Sequence, residues 1–210
     1  MSKSVGDLEA IAANIHSYFA VEDEAREKVL HLCRQVIQHS ARAIRALHRQ
    51  EQDEAKQLLN SARKLVQNIN HDLSEHAELL HSGFVHDAQK EFSEACATLA
   101  LINKEALPQP EELGVSYAAY LNGLGEAVGE LRRYVLDSLR RGDFSRCEEL
   151  LTMMDSIYGT LMTMDFPEAV THGLRRTSDA TRGIVERTRG ELTIALRQRD
   201  LETKLDNINH

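Results

Sequence analysis

The 210-residue sequence is 42% apolar and 28% charged, a composition typical of soluble globular proteins. No apolar run is long enough to cross a bilayer, and the N-terminal segment MSKSVGDLEA lacks the apolar core of a signal peptide, so we expect a cytoplasmic protein without membrane contact. Cys33, Cys96 and Cys147 are far apart and form no CxxC pair, which disfavours a disulfide framework or a zinc knuckle.

The net charge of −8 is distributed unevenly along the chain. Residues 71–130 hold 11 acidic residues against 2 lysines, whereas residues 31–70 hold 7 basic residues against 3 acidic ones. Residues 166–199 hold 7 arginines against 4 acidic residues. An acidic middle flanked by basic stretches suits a cation site beside a polyanion. It also suits a helical protein whose faces differ in charge, which is the commoner case.

Helical periodicity covers nearly the whole chain. It predicts six segments: 7–48, 51–81, 84–105, 115–141, 144–164 and 167–199. Gly83 and Gly142 are expected to end helices, and Pro167 to lie in the first turn of the last one. The stretch ALPQPEELG at 106–114 is too short for a domain linker and is interpreted as a loop. We therefore expect one all-α domain over residues 1–210.

The predicted helix around residues 120–144 has two different faces. Its apolar stripe consists of Tyr117, Leu121, Leu124, Val128, Leu131 and Val135. Ala119, Gly123, Glu126 and Glu130 lie roughly opposite. Because Gly weakens a helix by about 1 kcal/mol relative to Ala, small residues there indicate that another backbone or a ligand comes close. The two carboxylates at i and i+4 repel each other, so a positive group is expected to compensate them.

A second acidic pair, Glu91 and Glu94, lies on one face of the helix that contains QKEFSEA. Two helices that each offer two carboxylates could build an oxygen-rich site for a hard cation such as Mg²⁺ or Mn²⁺. For any one of these glutamates taken alone, an ordinary surface position is the commoner explanation. Their joint pattern is what indicates a metal site.

Basic residues supply candidates for nucleic-acid contact. Arg42, Arg45 and Arg49 are spaced three and four apart and form a ridge that can follow phosphates. Such a ridge is more often a solvated face or a salt-bridging surface between subunits. Arg132 and Arg133 are further candidates. Aromatic stacking on bases is not well supported, because the chain has no Trp and only 5 Phe and 5 Tyr.

The ten histidines do not predict a metal cluster. His71, His76, His81 and His86 recur every five residues, and on one α-helix each would be rotated by about 140° from the last. The segment Glu78-Leu-Leu-His81 matches the Glu-x-x-His of di-iron bundles, but those bundles need the motif twice.

Three segments together resemble the translin superfamily, and more closely its translin-associated factor X (TRAX) branch. ARAIRALHRQ at 41–50 is similar to the branch's segment ending in Leu-His-Arg, and QKEFSEA at 89–95 to its Gln-Glu-aromatic-x-Glu-Ala segment. YLNGLGEAVGELRRYVLDSLRRGDF at 120–144 resembles its Tyr-Leu-x-Gly…Gly-Glu-Leu-x-Arg…Gly-Asp signature. The last two are specific in combination, whereas Leu-His-Arg alone is weak. A weaker likeness in the last long helix extends the resemblance over most of the chain.

The resemblance implies a seven-helix fold that assembles into a hollow octameric shell and binds RNA, or single-stranded DNA, mostly inside it. It also implies metal-dependent endoribonuclease activity, which belongs to the TRAX branch, whereas translin itself chiefly binds. By position, the branch's acidic site falls on Glu91, Glu94, Glu126 and Glu130. The familiar eukaryotic pattern has Asp where this chain has Glu126. The chain also lacks the long polar insertion of eukaryotic members, as expected for an archaeal or bacterial member that assembles with itself.

Three functions therefore compete. The leading hypothesis is an Mg²⁺- or Mn²⁺-dependent endoribonuclease in which Glu91, Glu94 and Glu126 hold the cation, with Glu130 as a fourth ligand or a base. The second is a non-catalytic protein of the same fold that binds single-stranded RNA or DNA, its acidic pairs matched to arginines on neighbouring helices. The third is a helical scaffold that binds no nucleic acid. The residues alone favour the third, and the family likeness favours the first.

Overall fold

The computed structural model describes residues 3–208, with side chains from residue 7 onward. This part of the chain forms nine helices and no strand, which confirms the all-α prediction. Six helices are long, and three are single turns within the connections. The helices are α1 (Lys3–His48), α2 (Gln52–Asp72), α3 (Ala77–Leu80), α4 (Gly83–Asn103), α5 (Pro110–Leu113), α6 (Tyr117–Arg140), α7 (Cys147–Met162), α8 (Glu168–Thr171) and α9 (Leu174–Ile208).

The core is a set of long helices packed side by side around α4 and α6. Helix α1 packs against α2 and α4, and α4 packs against α6. On its other side α6 contacts α7 and α9, which also pack against each other. The most deeply buried large side chains include Phe92 of α4 and Leu131 of α6. Both helices that carry the predicted acidic pairs therefore lie at the centre of the bundle.

Glycines on α6 allow its neighbours to come unusually close. A Cβ atom added to Gly123 would lie 2.7 Å from the carbonyl oxygen of Lys90 and 2.9 Å from the backbone nitrogen of Glu94, both on α4. One added to Gly125 would collide with Cγ2 of Thr177 on α9. The predicted close approach of another backbone to Gly123 is confirmed. Of the predicted apolar stripe, only Tyr117 is largely exposed.

Several predicted helix ends are corrected by the structure. The segment predicted over 51–81 ends at Asp72, and the chain turns before the single-turn α3. Gly83 begins α4 instead of ending a helix, whereas Gly142, with φ of +76°, does follow the end of α6. Pro167 is the N-cap of the short α8, so the last long helix starts only at Leu174. None of the helices in residues 3–208 combines the length and the apolar character needed to cross a membrane.

We expect Gly123→Ala to destabilise the protein by about 2 kcal/mol or more, because the added methyl group would overpack the contact with the α4 backbone. Gly129→Ala on the same helix is the matched control, since its Cβ would meet only Ile184 Cδ1 at 3.9 Å. That change should be neutral or stabilising by up to about 1 kcal/mol through helix propensity. Urea denaturation followed by circular dichroism measures both, and equal effects would contradict the close contact.

Candidate metal centre

The close contact of α4 and α6 brings two acidic helix faces together. Gly123 lies one turn before Glu126 on α6, and the α4 backbone that it touches runs from Lys90 to Glu94. Because side chains at i, i+3 and i+4 share one helix face, the carboxylates next to this contact project into the same space. Because Gly123 has no side chain, α4 and α6 can approach closely enough to bring these carboxylates together.

Three carboxylates converge at this contact. One side-chain oxygen from each of Glu91, Glu94 and Glu126 lies within 4.8 Å of the other two, and we call this group the acidic cluster. Glu94 is buried, with 8% of its surface exposed, and the other two are half-buried. The predicted convergence of the two acidic pairs is confirmed for these three residues. Their role as metal ligands stays a prediction.

Burial and mutual repulsion make the acidic cluster unfavourable when all its members are ionised. Burial, followed by the charges of Glu91, Glu126 and Glu130, raises the pKa of the Glu94 carboxyl to about 8. Burial also raises the pKa of Glu91, and the charge of Glu126 adds to this, although the ammonium of Lys90 opposes it. A bound cation would relieve both costs, so the electrostatics of the cluster favour one.

Lys90 is the positive group that compensates α6. Its Nζ donates a hydrogen bond of 2.8 Å to Glu126 Oε1 and lies 4.0 Å from Glu91 Oε1. Burial alone would lower the pKa of Lys90, but the hydrogen bond and charge of Glu126 raise it overall. The sequence predicted a positive partner for the α6 carboxylates without identifying it. One alternative paired the acidic residues with arginines on neighbouring helices. At Glu126 the structure has a different partner, the lysine Lys90 on α4.

Glu130 lies beside the acidic cluster and has a partner of its own. Its Oε2 is hydrogen-bonded to Nε2 of His48, at the C-terminal end of α1. The His48 side chain is almost completely buried, and its Nδ1 has no hydrogen-bond partner within the described residues. Glu130 is therefore oriented by α1, while the other three carboxylates are oriented by the contact of α4 and α6.

The donor set of the acidic cluster fits a hard divalent cation. Three carboxylates on two rigid helices offer only oxygen ligands, which Mg²⁺ and Mn²⁺ prefer. One ammonium group does not balance the cluster when all three carboxyls are ionised, and Glu94 forms no side-chain hydrogen bond or ion pair within residues 7–208. An incompletely compensated, partly buried set of oxygens is what a cation site requires before the ion arrives.

Comparisons with known proteins give the family. No family model matches the sequence. The chain is 34% identical to the protein in the structure of an AfC3PO–duplex RNA complex, with a TM-score of 0.80 over 90% of this chain and 97% of that one. AfC3PO belongs to the translin superfamily. This chain belongs to it too.

The chain is also similar to other known proteins. A crystal structure of AfC3PO matches at 33% identity and a TM-score of 0.79, over 90% of this chain and 98% of that one. Apo-NeC3PO shares the fold at 20% identity and a TM-score of 0.78, over 88% and 96% of the two chains. In sequence, the uncharacterised protein MJ0175 of Methanocaldococcus jannaschii is 30% identical over 194 residues, which is 91% of this chain and 86% of its own length.

The predicted arginines of this translin-superfamily chain fall into two groups. Arg42, Arg45 and Arg133 are exposed and form no ion pair within residues 7–208. Arg49 instead pairs with Glu51 and Glu54, and Arg132 donates to Thr188 Oγ1 at 3.1 Å and to Glu191 Oε1 at 2.9 Å. The first group keeps its charge available for phosphates, whereas acidic neighbours already engage the second.

Three histidines near the site of this translin-superfamily chain escaped the sequence reasoning. His48 belongs to the Leu-His-Arg segment, but the motif gives no hint that its ring reaches Glu130. His86 stacks on His172, with ring centroids 4.6 Å apart and ring planes 19° from parallel. The four regularly spaced histidines do not share one helix: His71 lies on α2, His76 and His81 flank α3, and His86 lies on α4. Rotation along a single helix therefore could not indicate His172 as the partner of His86.

We expect Glu94→Gln to stabilise the metal-free protein, because the amide removes a buried charge that its neighbours repel. The folded-state pKa of about 8 exceeds the ordinary value of 4.5, so the stability cost of Glu94 grows as pH rises between these values. At pH 8.5 a gain of about 1–2 kcal/mol would raise the thermal midpoint by about 4 °C. At pH 4 it should vanish.

Glu75→Gln is the control for this measurement, since Glu75 is exposed and forms no ion pair within the described residues. Differential scanning fluorimetry with EDTA present compares the two variants across pH. A pH-independent gain, or the same gain from Glu75→Gln, would contradict the electrostatic account of the cluster.

Proposed function

We propose that this protein is a divalent-metal-dependent endoribonuclease of the TRAX branch, built as a single domain that works inside a hollow homo-oligomer, with eight copies the expected number. The observation that supports this most directly is the acidic cluster, in which two central helices bring three carboxylates within 4.8 Å. A binding surface for RNA needs positive charge, and nothing in such binding requires three acids to converge at a partly buried point. Metal-assisted phosphate chemistry does require it.

Glu91, Glu94 and Glu126 would hold Mg²⁺ or Mn²⁺. When bound, the cation would supply Lewis-acid stabilisation of the charge that develops on the scissile phosphate and would lower the pKa of the attacking water. Glu130 lies at the edge of the cluster, oriented by His48, where it can serve as a fourth ligand or accept the proton of that water. Cleavage in this manner leaves a 5′-phosphate and a 3′-hydroxyl.

RNA is the substrate class that the comparisons support. The AfC3PO relative was determined as a complex with duplex RNA, and its fold superposes on most of this chain. The unpaired arginines Arg42, Arg45 and Arg133 would contact phosphates, as would Lys90 beside the acidic cluster. Arg49 and Arg132 would join them after releasing their acidic partners. Because these contacts are electrostatic, RNA affinity should fall steeply with salt concentration, and single-stranded DNA should compete.

A non-catalytic RNA- or DNA-binding protein of the translin type is the second candidate. The hydrogen bond between Lys90 and Glu126 favours it, since it neutralises one member of the acidic cluster without a metal. In that case the cluster would be a structural feature of the contact between α4 and α6. The two functions differ in a measurable property, because only the nuclease needs the cluster to bind a divalent cation.

Apolar seams on the two longest helices support a homo-oligomer. The apolar residues of each seam are exposed and are spaced three, four or seven apart, the pattern of helices that pack against partners. On α1 the seam consists of Leu8, Ile11, Ile15 and Tyr18, and on α9 of Ile194, Leu201, Leu205 and Ile208. A second copy of this chain is the expected partner.

The free, buried Cys33, Cys96 and Cys147 support a reducing compartment such as the cytoplasm.

We expect Glu126→Gln to lower the rate of RNA cleavage in Mn²⁺ by at least about 100-fold. Loss of a residue that only hydrogen-bonds to a metal ligand already costs up to about 100-fold, and Glu126 is itself a proposed ligand. EDTA should abolish cleavage by the unmodified protein. Glu186→Gln is the control, because Glu186 is an exposed acid paired with Arg182 on α9. A labelled single-stranded RNA resolved on a denaturing gel reports the rate.

Isothermal titration with Mn²⁺ is the second measurement on the same variants. Loss of Mn²⁺ binding in Glu126→Gln, together with loss of cleavage, is the result that the nuclease requires. Full cleavage by Glu126→Gln or in EDTA would remove the acidic cluster from the reaction. RNA binding without cleavage or Mn²⁺ binding would favour the non-catalytic candidate.

We expect Ile15→Asp to reduce the size of the oligomer, because it places a charge in the α1 seam. Ala13→Asp adds the same charge on the opposite face of the helix, so it should leave the assembly unchanged. Sedimentation velocity of both variants at the same concentration gives the distribution of species. An unmodified protein that sediments as a monomer would contradict the proposed assembly.

A further inference from the structure

A cleft opens beside the acidic cluster, between α4, α6 and the start of α9. Its volume is about 460 Å³, and we call it the histidine cleft because His86 and His172 stack in its wall. Two residues that line it, Lys90 and Glu126, also belong to or contact the acidic cluster. The histidine cleft therefore adjoins the proposed metal centre, and an RNA strand cleaved there would have space to extend into it.

The charged groups of the histidine cleft suit a phosphate more than a cation. Lys90 contributes a partly buried ammonium, and Arg176 contributes an exposed guanidinium that forms no ion pair among the described residues. Two acids line the cleft. Asp87 is exposed, and the half-buried Glu126 already accepts a hydrogen bond from Lys90. A phosphate group can accept a bidentate pair of hydrogen bonds from Arg176 and a single one from Lys90.

His172 is exposed, lines the cleft and offers an aromatic ring that is backed by the stacked ring of His86. Burial lowers the pKa of His86, and the neighbouring His172 lowers it further, which favours the neutral ring near neutral pH. Imidazole rings are among the side chains on which unpaired bases stack in RNA complexes. The amino-acid composition did not indicate a stacking surface, because the chain has no Trp. In the histidine cleft the two histidines provide one.

Asn122 fixes the segment that carries His172. Its side-chain amide, almost completely buried, donates to the carbonyl oxygens of Thr171 at 2.9 Å and His172 at 3.4 Å. Its Oδ1 accepts a 2.6 Å hydrogen bond from the Thr177 hydroxyl. His172 itself has a left-handed backbone, with φ of +49°. The stacking surface is thus tied to α6, the same helix that carries Glu126.

We propose that the histidine cleft binds one nucleotide of the RNA strand next to the scissile phosphate, with its phosphate on Lys90 and Arg176 and its base on the paired rings of His86 and His172. This inference rests on the proposed nuclease function and adds a substrate subsite to it. The base must leave any duplex to reach the paired rings, so the nucleotide bound here is unpaired. The subsite also explains why a cationic, aromatic recess adjoins an acidic cluster.

The test compares Arg176→Ala with Arg175→Ala, because the two adjacent, exposed arginines line different recesses and only Arg176 faces the histidine cleft. The probe is a fluorescein-labelled oligouridylate of about eight nucleotides, followed by fluorescence anisotropy in EDTA, where no cleavage occurs. We expect Arg176→Ala to weaken binding about fivefold and Arg175→Ala to change it less than about twofold. His172→Asn keeps a residue that tolerates the left-handed backbone and removes the ring, and it should also weaken binding about fivefold.

A second probe, the same strand without its bases, separates the two parts of the subsite. Arg176→Ala should weaken both strands, whereas His172→Asn should weaken only the strand with bases. If the unmodified protein binds RNA and both variants bind it equally well, the subsite is wrong while the nuclease proposal stands. If uridine 5′-monophosphate alone displaces the strand at similar concentration, the recess is a mononucleotide pocket and the inference is overturned. If the unmodified protein binds no RNA, the proposed function itself fails.

Discussion

The contact between Gly123 and the α4 backbone is the constraint on which the rest of the site depends. With no side chain at this position, α4 and α6 approach so closely that a Cβ would lie 2.7 Å from a carbonyl oxygen. At this separation one side-chain oxygen of Glu126 on α6 lies within 4.8 Å of oxygens of Glu91 and Glu94 on α4. The packing that stabilises the bundle is therefore also what forces three acids together. The raised pKa of Glu94 is the electrostatic consequence of that packing. A site that opposes stability in the absence of its ligand is typical of function rather than of structural need.

Much of this arrangement could be predicted from the sequence, because helix geometry fixes which side chains share a face. The i, i+3 spacing of Glu91 and Glu94 and the i, i+4 spacing of Glu126 and Glu130 predicted two acidic faces. Gly123, a weak helix former, indicated that another backbone or a ligand comes close to the acidic face of α6. Breaks in helices were predicted less well. The segment over 51–81 has helical periodicity, yet the chain turns after Asp72, and His76 then forms a 2.7 Å contact with Glu22 of α1. Contacts between helices override local periodicity at such points.

Partners contributed by distant parts of the chain could not be predicted in this way. Lys90 is adjacent to Glu91 in sequence, but its ammonium turns to Glu126 on another helix. His48 lies at the end of α1 and reaches Glu130 on α6, and His86 finds its stacking partner in His172 after α8. Each of these pairs joins elements that become neighbours only in the folded bundle. Periodicity along one helix carries no information about the side chain that another helix supplies, so the acids were found and the residues that orient them were not.

Lys90 connects the two halves of the proposed site, and its position limits how they can work together. It lines the histidine cleft and is hydrogen-bonded to Glu126, so the same ammonium faces both the acidic cluster and the space proposed for the strand. A divalent cation on the cluster would take over the neutralisation of Glu126 and leave Lys90 free for a phosphate oxygen. Without the cation, Glu126 holds Lys90 by their hydrogen bond, and Arg176 would be the main phosphate contact in the cleft. The two halves of the site should therefore bind cooperatively. Bound metal should raise the affinity for the RNA strand, and the charge of the bound strand should raise the affinity for metal. By linkage, that coupling must have the same magnitude in both directions.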